Sequence, residues 1–241
     1  MSVALELPEL TPDETTHSER LAERVRAEIA RAGGWISFAR FMEMALYEPG
    51  LGYYSAGARK LGAAGDFVTA PEVAPVFSRC VAVQCAEILR GLGGGEVLEL
   101  GAGSGVMAAT MLAELERRNA LPTRYRIVDV SADLRERQRA TLAQAVPQWL
   151  DRVEWLDRLP ERFSGVIVAN EVLDAMPVER FALRGGEINA LGVTWHFGRF
   201  EWSETRAPAP LRAAVRGLRP QAGDAWPEGY VSEVNLGLGP W

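Results

Sequence analysis

With 241 residues, 48% of them apolar, the chain can bury a sizeable core as one large domain or as a core domain with an appendage. Its net charge of −6 comes from 32 acidic and 26 basic residues dispersed along the chain, which argues against a general nucleic-acid or anionic-membrane binder, since both need clustered Lys and Arg. No apolar run approaches the roughly eighteen residues of a membrane span, and the acidic start MSVALELPELTPDETTHSER lacks a basic region ahead of an apolar stretch, so a cytoplasmic location is expected.

Residues 1–17 hold prolines, threonines and acids without periodicity and read as a flexible tail. From Ser18 the apolar residues Leu21, Val25 and Ile29 recur every fourth position up to Gly33-Gly34, which predicts an amphipathic helix; a second is expected from Ser37 to about Leu46, before Pro49-Gly50. The segment EPGLGYYSAGARKLGAAGDFVTAPEVAPVFS then carries the aromatics Tyr53, Tyr54 and Phe67 and the basic pair Arg59 and Lys60. Loops this long in a compact domain are functional or disordered, and the aromatics favour the first. Tyr53 and Tyr54 either close over a ligand or pack as local core. A helical pattern from Phe77 to Leu92 contains Cys80 and Cys85, expected as buried, reduced thiols rather than metal ligands. Residues 18–92 thus form an N-terminal helical region with a glycine-rich loop.

Strand-like and helix-like segments then alternate: Val97 to Leu100, a helix to about Arg118, Arg126 to Val130, a helix from Ala132 to about Ala145, Val153 to Leu156, and Val166 to Ala169. That alternation predicts an α/β, Rossmann-like parallel sheet over residues 93–177. After Pro177 the pieces ERFALR and GVTWHFGRFEW, a short helix near Leu211 to Leu218, and GYVSEVNL suggest a β-rich insertion or rim over 178–241.

In an open parallel sheet the ligand lies beyond the carboxyl ends of the strands, nearest the first strand-to-helix turn. Here that turn follows EVLEL and reads Gly101-Ala102-Gly103-Ser104-Gly105. A phosphate-binding loop would need Lys-Ser or Lys-Thr where Val106-Met107 stands, and a dinucleotide fingerprint would need its third glycine at Val106. The spacing Glu99-x-Gly101-x-Gly103-x-Gly105 instead resembles the first motif of class I S-adenosylmethionine-dependent methyltransferases. There the acid belongs to the network around the methionine part and the glycines let that part lie on the backbone. Asp129 ends the next strand, where an acid takes both ribose hydroxyls of an adenosine ligand. A glycine turn alone also closes α/β units that bind nothing; the register of Glu99 and Asp129 adds weight to the ligand. Asp157 ends the third strand, where it either reaches the adenine amino group or is a solvated turn acid.

Four further stretches, FMEMALYEPGLGYYS, GDFVTAPEVAPVFS, VDVSADLRERQ and VANEVLDAMPVERF, together with the glycine motif resemble the MidA-like methyltransferases, a family that includes a mitochondrial complex I assembly factor methylating an arginine. The resemblance runs from about Gly34 to the end of the chain. It implies that Gly65, Asp66, Phe67, Thr69 and Glu72 fold over the cofactor and that Asn170, Glu171 and Asp174 line the methyl-transfer end. It also implies further strands beyond GYVSEVNLGLGPW, so the class I methyltransferase sheet is expected to be incomplete at the C-terminus, with an unpaired edge that leaves room for a homo-oligomer. The family commonly has Glu where Asp129 stands, a change that keeps the carboxylate and shortens its reach.

A guanidinium is protonated at neutral pH and a poor nucleophile, so an arginine methyltransferase gains from carboxylates that bind its fork and localise its charge. Glu171 and Asp174 are the candidates, on one face if the segment after Asn170 is helical; the alternative is that Asn170 and Asp174 only cap a strand-to-helix turn. The expected partner is a protein substrate of respiratory or other assembly type, with S-adenosylmethionine as cofactor and neither nucleic acid nor membrane. A small-molecule acceptor, or a cofactor-binding assembly module without catalysis, are the competing functions.

Overall fold

The computed structural model describes residues 10–55, 69–218 and 226–238. Helix α1 (Pro12–Arg31) is followed by the short strand β1 (Ile36–Ser37), α2 (Phe38–Tyr47), α3 (Ala70–Val73) and α4 (Pro75–Gly91). Strand β2 (Glu96–Leu100), α5 (Val106–Arg117), β3 (Tyr125–Val128), α6 (Ala132–Ala145), a 3-10 turn (Pro147–Arg152), β4 (Val153–Leu156) and β5 (Gly165–Ala169) continue the chain. Then come β6 (Glu179–Arg184), β7 (Glu187–His196), β8 (Arg199–Arg206), α7 (Ala209–Gly217) and β9 (Val231–Val234).

These elements form two compact units, one within Gly57–Ala175 and one joining Met1–Ala56 to Met176–Trp241. The first holds a parallel sheet in the order β4-β3-β2-β5. Side chains alternate along each strand, and Val97, Tyr125, Ile127 and Val168 share a core with Ala82 and Leu89 of α4, Met111, Leu112 and Leu115 of α5, and Leu142 of α6. Glu99 and Asp129 continue the same alternation, so the fold carries both acids onto the helix-covered face, where each is buried. On β5, Ile167 points to the other face and is 57% exposed.

In the other unit β7 is the central strand. Residues 189–196 pair with β8, while 187–191 pair with β6 and Val193 and Gly192 with Ile36 and Ser37, so β6 and β1 share one edge of β7. Gly192 permits this crossing: a Cβ there would lie 2.2 Å from the Ile36 carbonyl oxygen and 2.3 Å from the Trp35 ring. Strand β9 adds to the outer edge of β6. Phe181, Ile188, Leu211 and Val215 form one core and Val25, Ile29, Ile36 and Met44 another.

Three elements differ from expectation. Helix α1 begins at Pro12, inside the expected tail, because Thr11 and Glu14 close a capping box: Thr11 Oγ1 accepts from Glu14 N and the Glu14 carboxylate accepts from Thr11 N at 2.7 Å. The N-terminal helices and the stretch leading into β2 fall in different units, since β1 joins the antiparallel sheet while α4 buries Ala82, Cys85, Ala86 and Leu89 beside the parallel one. Of the two thiols only Cys85 is buried; Cys80 is exposed, as their offset on one helix requires.

Candidate functional site

The carboxyl ends of β2, β3 and β4 converge on the glycine turn. The Gly101 N–H extends the ladder by donating to the Val128 carbonyl at 2.9 Å, and Gly105 N–H returns to the Ala102 carbonyl at 2.8 Å. Gly101, Gly103 and Gly105 all have φ between 54° and 85°, the left-handed region, so the turn is built from the residue type that adopts it without strain. Helix α5 starts at Val106, and Ala109 is the residue whose N–H first bonds back within it, to the Gly105 carbonyl at 3.0 Å. Its opening N–H groups therefore point out at the turn.

Glu99 lies fully enclosed behind the turn. Tyr125 Oη donates to its carboxylate at 2.7 Å. Burial pushes the Glu99 carboxyl up to about 7, the Tyr125 donor pulls it down, and the Asp129 charge pushes it up. Asp129 Oδ1 accepts from Ser131 N–H at 3.0 Å and Oδ2 from the Gln138 amide at 2.8 Å. Burial raises the Asp129 carboxyl against these donors and against the positive charge of Arg135.

Glu72 of α3 reaches the middle of the turn, where its carboxylate accepts from Ser104 Oγ; Thr69 is the residue just before that helix. Asp157 is 91% exposed by its side chain and pairs with Arg135 at 2.6 Å; the same guanidinium donates to the Asp129 carbonyl at 2.8 Å and the Leu156 carbonyl at 2.7 Å. Gly65, Asp66 and Phe67 lie outside the described residues, as do Arg59 and Lys60.

Asn170, Glu171 and Asp174 follow β5, but not on a helix. Glu171 has φ +52°, and the chain proceeds through bends and a turn in which Ala175 N–H bonds to the Val172 carbonyl at 3.2 Å. A left-handed residue breaks helical spacing, so the one-face argument for Glu171 and Asp174 does not hold. The segment instead lies over the glycine turn, since a Cβ on Gly101 would sit 3.1 Å from Val172 Cγ2. Both carboxylates are exposed and, among the described residues, neither has an ion-pair partner. Tyr54 stacks on Tyr47 at 5.4 Å in the antiparallel unit, the local packing that was the alternative for it.

Sequence reasoning missed Ser104, Arg135, Gln138 and Trp155. Their only sequence signal is a polar or aromatic side chain within a turn or two of a strand end.

A buried acid closing one parallel strand, a glycine turn after it and a second buried acid closing the neighbouring strand are the arrangement of an α/β domain of the class I methyltransferase type. The profile of a family described as "Putative S-adenosyl-L-methionine-dependent methyltransferase" matches residues 80–241. The chain belongs to that family.

Among solved structures, one from Burkholderia thailandensis bound to S-adenosyl-homocysteine is 46% identical, with a TM-score of 0.84 over 95% of this chain and 59% of that one. Among curated relatives, a protein named as the mitochondrial protein arginine methyltransferase NDUFAF7 homolog of Caenorhabditis elegans is 26% identical, covering 76% of this chain and 47% of its own length. The mitochondrial protein arginine methyltransferase NDUFAF7 of Danio rerio is 29% identical, covering 62% of this chain and 41% of its own. The chain thus spans less than half the length of these relatives. Their names also overturn the expected cytoplasmic location: those from worm, zebrafish and Drosophila melanogaster are all mitochondrial proteins. The acidic N-terminus was too weak a basis for that expectation. Among the described residues no helix is long and apolar enough to cross a membrane.

Proposed function

We propose that the chain binds S-adenosylmethionine against the Gly101–Gly105 turn and delivers its methyl group to an arginine side chain of another protein. The observation that carries this reading is the pair of buried acids, Glu99 and Asp129, on one face of the sheet at either side of a left-handed glycine turn. The residues fit such a ligand. Asp129 accepts from the Ser131 N–H on one oxygen and the Gln138 amide on the other, with the Val130 N–H also facing it; an ionised carboxylate has about four acceptor sites, so capacity remains for a ribose hydroxyl. Glu99 is held by Tyr125 through one oxygen and keeps the other for the methionine part. The opening N–H groups of α5 suit the ligand's carboxylate, and Glu72 closes the turn at Ser104.

When bound, the cofactor supplies a sulfonium methyl: an N–C bond forms as the C–S bond breaks, the electron pair stays on sulfur as a thioether, and nitrogen gives up a proton. The protein's task is to hold acceptor nitrogen and methyl in line and to keep water out. The family resemblance gives Glu171 and Asp174, with Asn170 beside them, the task of binding the guanidinium fork, localising its charge away from the reacting nitrogen and accepting the proton.

Arginine is the acceptor to test first because of what the relatives' names say of those proteins, and an assembly protein of a respiratory complex is the partner class the resemblance brings. Incubating the chain with isotopically labelled cofactor and a panel of arginine, lysine and glutamine peptides, with mass-spectrometric mapping, should label guanidino nitrogen alone. Cofactor binding with no labelled peptide supports the second reading, an assembly module without catalysis. That reading draws on the outer side of β5, which among the described residues pairs only with β2.

A further inference from the structure

Gln138 sits at the middle of α6 and is 0% exposed. A buried amide is costly unless its donors and acceptor are all met. Here Nε2 donates to the Gly103 carbonyl at 3.1 Å and to Asp129 Oδ2 at 2.8 Å, while Oε1 accepts from Trp155 Nε1 at 3.0 Å. The amide's orientation is fixed chemically, since an indole N–H only donates and a carbonyl only accepts. Its backbone also marks the closest approach of α6 to the turn: a Cβ on Gly105 would lie 2.9 Å from Gln138 Cα. One side chain therefore ties together the ends of three adjacent strands, through Gly103 after β2, Asp129 after β3 and Trp155 on β4.

We propose that Gln138 is a positioning residue for the cofactor, its amide locking the Asp129 carboxylate to the Gly103 carbonyl so that the ribose and methionine ends of one ligand are gripped at a set separation. This rests on the reading that S-adenosylmethionine occupies the site. The groups facing Asp129 besides Gln138 are the Ser131 and Val130 N–H groups, the Arg135 guanidinium and, from β2, the Glu99 carboxyl. Deleting the amide donor takes more stabilisation from the ionised form of Asp129 than from the protonated one. Asp129 then protonates at higher pH, and binding that needs it as an ionised acceptor is lost earlier as pH falls.

The test is the dissociation constant of S-adenosylhomocysteine, by calorimetry on the full 241-residue chain from pH 5 to 8.5, for the native protein, Gln138→Met and Trp155→Phe. Gln138→Met should bind about tenfold more weakly at pH 7, with the acid limb of its profile displaced upward by about one pH unit. Trp155→Phe keeps the amide but frees it to rotate, and should shift the limb the same way by less; it decides the matter if Gln138→Met does not fold. Folded variants whose acid limb coincides with that of the native chain, whatever their thermal midpoints, would overturn the positioning role. A folded native chain that binds no S-adenosylhomocysteine would instead sink the cofactor reading on which the role depends.

Discussion

Tyr125→Phe removes one oxygen from the covered face of the parallel sheet and should destabilise the protein in a way that depends on pH. The hydroxyl donates to Glu99 at 2.7 Å and both residues are buried. Glu99 moves from an ordinary 4.5 to about 7, a change worth about 3 kcal/mol. The native state keeps that proton up to about pH 7 while the unfolded chain releases it near 4.5, so this group's contribution to stability is full below the lower value. It falls as pH rises between the two and is level above the upper one. At pH 5 the lost bond is one between neutral groups, about 1 kcal/mol; at pH 8.5 it is one to a buried anion, about 1.5–3 kcal/mol. Urea unfolding of both proteins at the two pH values, followed by tryptophan fluorescence and near-UV circular dichroism, should give a larger difference at pH 8.5 by about 1 kcal/mol or more. Equal differences at both would refute the assignment of Glu99 as the group that titrates.

Gly105→Ala forces a side chain onto a residue with φ +85° and into the backbone of Gln138, and should cost about 2 kcal/mol or more in urea unfolding while weakening cofactor binding. Thr11→Ala opens the capping box of α1 and should cost about 1 kcal/mol without changing cofactor affinity. A tenfold change in affinity there would contradict a site confined to the parallel-sheet unit. Glu171→Gln with Asp174→Asn should leave the cofactor dissociation constant within about twofold and lower arginine methylation by about a hundredfold or more. Equal losses in both quantities would place these acids in cofactor binding instead.

The parallel sheet was legible because each of its strands is a short apolar run bounded by glycine, proline or an acid, and local pattern suffices for such elements. Helix α6 spans the expected Ala132–Ala145, and Glu99 and Asp129 fall where strand alternation carries them, at the ends of β2 and β3. The pairing of Ile36 with Val193 was not legible, since it joins distant stretches through two residues only, and its enabling feature is the absence of a side chain at Gly192. Thr11-x-x-Glu14 was readable as a capping box but was masked by the aperiodic, acidic sequence around it. Gln138 could not be singled out among the polar residues of a helix whose apolar pattern is weak; only the folded chain brings Gly103, Asp129 and Trp155 to it. The left-handed turn at Glu171 defeats any argument from helical spacing, because nothing in Asn-Glu-Val-Leu-Asp announces it.

The most direct test of the account is calorimetric titration of S-adenosylhomocysteine into the 241-residue chain, beside Asp129→Ala and Gly103→Arg. A dissociation constant of about micromolar order is expected for the native chain, about 8 kcal/mol of binding free energy, with loss of measurable heat in both variants. A chain with native circular dichroism and tryptophan fluorescence that takes up no ligand, or Asp129→Ala binding as tightly as the native protein, would contradict it.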